Sequence, residues 1–226
     1  MSDFTTGIVL KIKKHSENEF IVYFLCAKGV LKLFAMGLEK PTSKNKTNLV
    51  IGAIVEIEYF KARLKNKIGR LKTVKTLLFP VYNFKSLEEY FEFQKLIKLF
   101  LTINFENNFL SVYKFMLEKL KYINYEYAMT YFYGQLLINY GVCPNFKSCA
   151  ICMQESNLVS FNLEEGGFFC NKHSDGIEIL NVEVLNLIYL SYNNFILYGQ
   201  KTNKYVNNFL QNKYKEVLQN AGFAIY

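Results

Sequence analysis

Three cysteines and one histidine in the C-terminal half stand at the spacing of a metal site. Two residues separate Cys149 from Cys152, two separate Cys170 from His173, and seventeen lie between the pairs. A C-x2-C turn lets two thiolates face one ion, and the second pair completes a tetrahedron with a thiolate and an imidazole. Sulfur ligands favour zinc over magnesium, calcium or manganese. The alternative is a group of buried thiols beside a histidine that is not a ligand.

A site with four protein ligands predicts a structural zinc, one per chain, because catalytic zinc keeps one coordination position open for water or substrate. Gly166 and Gly167 supply the backbone freedom that a hairpin approaching the metal needs. The sequence has no P-loop and no G-x-G-x-x-G motif, and His15 has no triad partners around it. We therefore predict no catalytic residues and no enzymatic activity. A zinc hydrolase or nuclease remains as an alternative, and it would need an open coordination position.

Basic residues are concentrated at the N-terminus. Residues 1–80 contain 15 Lys and Arg against 6 Asp and Glu, a net charge of +9, whereas residues 81–226 contain 12 against 13, a net charge of −1. A coding bias toward lysine would act on both parts equally, so the first part is predicted to bind a partner of its own, with a polyanion as the leading candidate. The predicted DNA contacts are Lys11, Lys13, Lys14, Lys40, Lys44, Lys46, Lys61, Arg63, Lys65, Lys67, Arg70, Lys72 and Lys75.

Other partners fit the same charge. An RNA-binding module that combines a barrel with a zinc knuckle, or a scaffold that holds an acidic protein tail, would also need a basic face. Aromatic side chains near the basic residues could stack bases, although each is more often part of a core. These residues are Tyr23, Phe34, Tyr59 and Phe60.

The pattern of apolar residues predicts an α+β protein. Alternation in residues 4–15, a hairpin at Ala27-Lys28-Gly29 and two further runs indicate five strands, which fit an OB-fold barrel; an SH3-like barrel is the competitor. Beyond Pro80, Ser86 and Glu89 have capping-box spacing, and apolar residues recur at helical spacing. After the metal-binding segment, Asn181 can cap a helix that covers residues 182–199. The predicted domains are an OB-fold DNA-binding domain at 1–80 and a helical domain at 81–226, with the zinc-binding insertion at about 145–176.

Composition indicates a cytoplasmic protein. No apolar run approaches the ~18–20 residues that span a bilayer, and no secretion signal is recognisable. The five cysteines of this chain do not resemble a disulfide framework. We therefore expect no membrane partner.

The order of these motifs resembles the RecO family of bacterial DNA repair and recombination mediators over nearly the whole chain. The motifs that carry the resemblance are Gly7-Ile8-Val9-Leu10-Lys11, the turn Glu17-Asn18-Glu19, the hairpin at Gly29, Ala35–Gly37, Ser43 in a basic loop, Gly141 with Pro144, Phe161, Gly166-Gly167 and the two metal-binding pairs. Three departures are visible. Met153 stands where glycine usually follows the second cysteine, His173 replaces a frequent cysteine, and the basic loop uses Lys40, Lys44 and Lys46 where many relatives have arginine.

The resemblance implies a function as well as a fold. Such a protein binds single- and double-stranded DNA, anneals complementary strands and works with RecR. The two together help to load RecA onto strands coated by single-strand binding protein (SSB), whose acidic C-terminal tail is a further partner. The resemblance implies no nucleotide cofactor and no covalent chemistry, and it places the protein in the cytoplasm at the nucleoid. Some relatives lack the metal ligands, which supports a structural role for the zinc.

Overall fold

The chain folds into two compact units, Met1–Glu118 and Lys119–Tyr226. A computed structural model describes residues 2–64, 67–80, 86–102, 109–139, 141–142 and 144–222. The domain boundary predicted at residue 80 lies within the first unit and stays a prediction.

The first unit begins with a closed five-stranded barrel. Its strands are β1 (Asp3–Lys14), β2 (Glu19–Cys26), β3 (Gly29–Met36), β4 (Ile54–Phe60) and β5 (Gly69–Leu78). Neighbours around the barrel follow the order β1-β2-β3-β5-β4, and β4 pairs with β1 to close it. All pairs are antiparallel except β3 with β5, which is parallel. The predicted OB-type barrel is therefore confirmed.

Alternation along the strands fills the barrel interior. Val22, Phe24 and Leu33 are fully buried and pack with residues of β4 and β5 in one apolar cluster. The hairpin between β2 and β3 turns at Ala27 and Lys28, as predicted, since Cys26 pairs with Gly29. Because successive strand residues face opposite sides, this register also fixes which side chains point outward.

Two α-helices follow the barrel among the described residues of the first unit. They are α1 (Leu87–Leu99) and α2 (Phe109–Lys119), and the last residue of α2 begins the second unit. The predicted cap at Ser86 is confirmed, because its hydroxyl accepts a hydrogen bond from the Glu89 backbone N–H at 3.3 Å. Both helices contact the barrel at Gly52: the Tyr113 hydroxyl donates to the Gly52 carbonyl at 2.7 Å. A Cβ at Gly52 would lie 2.6 Å from the Phe93 ring.

In the part of the second unit that the structure describes, four α-helices are combined with a small sheet. The helices are α3 (Tyr125–Asn139), α4 (Val182–Asn193), α5 (Phe195–Lys201) and α6 (Lys204–Asn220); the strands are β6 (Asn145–Cys149), β7 (Leu158–Asn162) and β8 (Gly167–Cys170), in the order β6-β8-β7. Asn181 caps α4 as predicted, accepting from the Val184 N–H at 2.8 Å. The sequence predicts one helix over residues 182–199. The structure instead has two helices that are separated at Asn194, whose side chain caps α5.

The helices of both units are limited in length and in apolar content. Among the residues that the structure describes, no helix is both long and apolar enough to cross a membrane.

Candidate metal centre and nucleic-acid interface

Two turns at the ends of strands bring the four predicted metal ligands together. Cys149 ends β6 and Cys170 ends β8, and these strands run parallel with Cys149 opposite Phe168. Cys152 and His173 follow in tight turns, closed by hydrogen bonds from the Met153 N–H to the Cys149 carbonyl and from the His173 N–H to the Cys170 carbonyl, both 2.9 Å. Each strand end therefore supplies one ligand directly and a second from its turn.

The distances fit a tetrahedral ion. All four ligand atoms lie within 4.8 Å of one another. The His173 Nδ1 is 3.5 Å from the Cys149 Sγ and 3.3 Å from the Cys170 Sγ, and the Cys152 and Cys170 sulfurs are 3.8 Å apart. A tetrahedron with metal–sulfur bonds of about 2.3 Å has edges of about 3.8 Å. The four residues thus form a potential metal-binding site.

Backbone N–H groups favour the thiolate form of one ligand, Cys149. Burial raises the pKa of the Cys149 thiol, but backbone N–H groups of the two turns outweigh that effect and lower the pKa to about 6. A thiolate, not a thiol, is the form that coordinates a metal. Cys149 and Cys170 are buried, whereas Cys152 is exposed.

The cluster lies at the end of a sheet that packs on helices of the same unit. Phe146 on β6 stacks on Tyr192 of α4 with ring centroids 4.3 Å apart and contacts Phe161 at 5.6 Å. Gly167 has a φ of +122°, and a Cβ there would overlap the Asn145 backbone, so β8 can approach β6 only with glycine at this position. A bound ion would therefore fix the strands that carry the aromatic contacts.

The predicted DNA contacts form an exposed basic surface on the barrel. Twelve of the thirteen side chains lie within the described residues and all twelve are exposed, while Lys65 falls outside them. Lys11 and Lys13 lie on β1, and Arg70, Lys72 and Lys75 lie on β5. The structure thus distributes these side chains over strands and loops of one unit.

The basic loop between β3 and β4 is tied to β5. Asn45 accepts a hydrogen bond from the Val74 N–H at 3.0 Å and donates to the Lys72 carbonyl at 3.2 Å. Asn48 accepts from the Thr76 N–H at 3.0 Å. Since these two asparagines flank Lys46, the loop lysines lie beside those of β5.

Three of the predicted contacts are held by carboxylates. The pairs are Lys14–Glu39 at 2.6 Å, Lys61–Asp3 at 2.8 Å and Lys72–Glu58 at 2.7 Å. Hydrogen bonding to the Lys72 ammonium, and then to Ser2, lowers the pKa of the Glu58 carboxyl below its ordinary value. Because a carboxylate partly neutralises each of these three lysines, they attract a polyanion less strongly than three unpaired lysines would.

Two further exposed basic side chains of the barrel, Lys32 and His15, were not among the predicted contacts. The Lys32 ammonium lies 5.5 Å from the centroid of the Tyr23 ring, its cross-strand partner, and the His15 ring lies 5.3 Å from that of Phe34. The hairpin register at Gly29 would have identified Lys32, because it sets Tyr23 opposite Lys32. Of the four aromatic candidates, Tyr59 packs against the core, whereas Phe60 is 42% exposed.

The fold defines a class: an OB-type barrel protein with a helical second unit and a four-ligand Cys/His cluster. Residues 1–78 match the family model described as "Recombination protein O N terminal". The chain is also 24% identical over 179 residues to proteins named DNA repair protein RecO from Bacillus cereus (strain AH187) and Bacillus anthracis, covering 75% of this chain and 69% of theirs. The resemblance to the RecO family is therefore confirmed, and the residues that match the family model span the whole barrel.

Solved structures give a weaker likeness. An asparaginyl-tRNA synthetase of Entamoeba histolytica aligns with 12% identity and a TM-score of 0.30, covering 76% of this chain and 40% of that one. Similarity at this level carries no argument about function.

Proposed function

We propose that this protein is a DNA repair and recombination mediator. It binds single- and double-stranded DNA, anneals complementary strands and, with RecR, helps to load RecA onto single strands coated by SSB. The observation that carries the proposal is the exposed basic surface on a barrel that matches the RecO N-terminal domain. Proteins named for DNA repair are similar over three quarters of the chain. The partners RecR, RecA and the SSB tail come to the proposal from the family, as does action at the nucleoid.

Annealing needs no covalent chemistry from the protein. A basic surface that holds two strands screens their repulsion and raises their local concentration, while base pairing supplies the driving force. The distribution of basic side chains over the barrel supports this, because exposed lysines lie on separate strands, such as Lys13 on β1 and Lys75 on β5. We accordingly propose no catalytic role for any residue.

We propose zinc as the ion at the Cys/His cluster. Three thiolates and one imidazole suit zinc, which takes four ligands in tetrahedral structural sites. With all four positions supplied by the protein, the ion acts as a cross-link between the ends of β6 and β8. Its contribution is to the stability of the second unit.

The test is an annealing assay. Two complementary oligonucleotides carrying a donor and an acceptor dye are mixed with purified protein, without ATP or added metal. We expect faster annealing than the spontaneous rate, and a loss of this acceleration when Lys67 and Arg70 are both changed to glutamate. SSB-coated strands should still anneal, and SSB lacking its tail should remove that advantage.

Other outcomes would overturn the proposal. Annealing at the spontaneous rate across a range of salt concentrations would refute the mediator function. Shortened oligonucleotides would indicate a nuclease, and tighter binding of an RNA competitor at matched salt would indicate an RNA-binding module. An unchanged rate in the double glutamate variant would place the DNA contacts elsewhere.

A further inference from the structure

We infer that Phe34, Arg70 and Phe60, here called the stacking row, form a platform on which the bases of single-stranded DNA stack. This inference rests on the proposed DNA-binding function and adds to it a group of residues that distinguish single from double strands. The row lies on the outer face of the barrel, where three neighbouring strands meet.

Strand register places the three side chains side by side. Phe34 on β3 is the partner of Arg70 in the parallel pair, and Arg70 on β5 is the partner of Phe60 in the antiparallel pair with β4. Neighbouring strands lie about 4.8 Å apart, so the two phenylalanine Cα atoms are roughly 10 Å apart with the arginine between them. Leu33 and Leu71, the adjacent residues on β3 and β5, are 0% and 5% exposed and point into the core. The row therefore faces solvent.

Each phenylalanine has a basic or aromatic neighbour outside the core. The Lys72 Nζ lies 5.8 Å from the centroid of the Phe60 ring, and the His15 ring lies 5.3 Å from the Phe34 ring at an interplanar angle of 56°. An aromatic surface on the outside of the barrel, with the Arg70 guanidinium within it and the Lys72 ammonium at its edge, matches a nucleic-acid strand, whose bases stack while its phosphates need neutralisation. Charge complementarity thus favours a nucleic acid over an apolar protein segment as the occupant.

The arginine in the row is chemically distinct from the other basic residues. The chain contains 27 Lys and Arg residues, of which two are arginine, Arg63 and Arg70. A planar guanidinium stacks on aromatic rings and bases and holds a phosphate with two hydrogen bonds, whereas an ammonium offers only a point charge. Between two phenylalanines, Arg70 extends the flat surface across the middle strand and keeps a positive charge there.

A cleft continues the surface beyond the row. Met36, two residues after Phe34 on the same face of β3, lines a cleft of about 500 Å³ together with Lys40, Thr42 and Ser43. An ammonium and two hydroxyl groups suit the phosphate that follows a stacked base. A strand lying on the row can therefore run along β3 toward the basic loop.

Stacking on a flat protein surface requires bases whose faces are open. In a duplex those faces are covered by neighbouring base pairs, so contacts to duplex DNA depend on its phosphates. Loss of either phenylalanine ring of the row should weaken single-strand binding and leave duplex binding nearly unchanged. This asymmetry separates stacking from a general effect of charge.

The experiment measures fluorescence anisotropy of a labelled oligothymidine and of a labelled duplex of equal length, with wild type and Phe60 variants. Phe60→Leu keeps an apolar side chain without a ring, and Phe60→Tyr keeps the ring. We expect Phe60→Leu to lose affinity for the single strand by a factor between about five and about 150, the range for one base–aromatic contact. Phe60→Tyr should retain the affinity, and neither variant should change duplex binding by more than about twofold.

Two further variants serve as controls. Phe79→Ala removes a phenylalanine of similar exposure, 48% against 42% for Phe60, that follows the last residue of β5 and lies nine residues after Arg70 in the chain. It should bind both DNAs as wild type does. Arg70→Lys keeps the charge and should weaken single-strand binding more than duplex binding. Circular dichroism melts confirm that each variant is folded.

The outcomes separate the two proposals. If the wild type binds neither DNA, the proposed DNA function fails. If it binds both but Phe60→Leu matches wild type on the single strand, or loses affinity equally for both DNAs, the stacking row is wrong and the DNA function stands. Tighter binding of oligouridine than of oligothymidine would show that the occupant is RNA.

Discussion

The exposed ligand of the Cys/His cluster offers a clean test of a structural metal. Cys149 and Cys170 are buried, so a serine at either position would also leave a hydroxyl in an apolar environment. Cys152 is exposed, and Cys152→Ser removes one thiolate with little change in packing. Any large loss of stability in this variant therefore reports the missing metal–sulfur bond.

The size of the effect follows from mass action and from the size of the second unit. A ligand that binds only the folded state at a free concentration 100-fold above its dissociation constant adds about 2.7 kcal/mol. Lys119–Tyr226 contains 108 residues, from 226 minus 118. For a unit of about 100 residues, 1 kcal/mol shifts Tm by about 4–8 °C, so loss of the metal should lower Tm by about 10–20 °C.

The assay is a thermal melt with and without a metal chelator, with metal content measured by mass spectrometry. Wild type should carry one zinc per chain, and its Tm should fall when the chelator is added. Cys152→Ser should have a lower Tm already without the chelator, and the chelator should change that Tm little. Cys26→Ser changes a thiol in the barrel core and should respond to the chelator as wild type does. A wild-type Tm that is insensitive to chelation and equal to that of Cys152→Ser would refute the structural metal.

Three further predictions concern single side chains. Met153 has a φ of +61°, so Met153→Gly should stabilise the second unit by about 1 kcal/mol in urea unfolding; a destabilised variant would contradict this. Glu58→Gln removes the carboxylate that holds Lys72 and should raise the affinity for single-stranded DNA. If Lys72 then binds one more phosphate, a plot of log affinity against log salt concentration should be steeper by about 0.7, and an unchanged slope would contradict this. Burial raises the pKa of Tyr131 from 10 to about 12, so the stability that Tyr131 contributes below pH 10 should be lost as pH rises to 12. This contribution is about 3 kcal/mol at most, and the loss measured in Tyr131→Phe should be smaller than in wild type by that amount.

Local patterns predicted the parts of the fold that depend on neighbouring residues. The metal ligands were recognisable because each pair lies within one turn, and the capping residues Ser86 and Asn181 because a cap acts three residues away. The break at Asn194 escaped prediction, since apolar residues continue on both sides of it. Only the contacts of the folded unit decide whether such a run continues as one helix or restarts at a cap.

Met153 shows how the structure explains a departure from the family pattern. The position after the second cysteine has a left-handed backbone, which glycine adopts without steric cost and methionine does not. The turn nevertheless closes, because the Met153 N–H donates to the Cys149 carbonyl at 2.9 Å. A glycine here is thus a preference of the backbone rather than a requirement of the metal.

Surface charge is the property that composition predicts least well. The net charge of residues 1–80 gives the sign of the potential, but the effective charge of each lysine depends on partners distant in sequence, such as Asp3, which lies 58 residues from Lys61. The stacking row depends in the same way on a pairing between residues 34 and 70. Counting basic residues can therefore indicate that a polyanion binds. The register of β3, β5 and β4 is what distinguishes an arginine between two aromatic rings from a lysine held by a carboxylate. The contributions of these two side chains to DNA binding should depend differently on salt concentration.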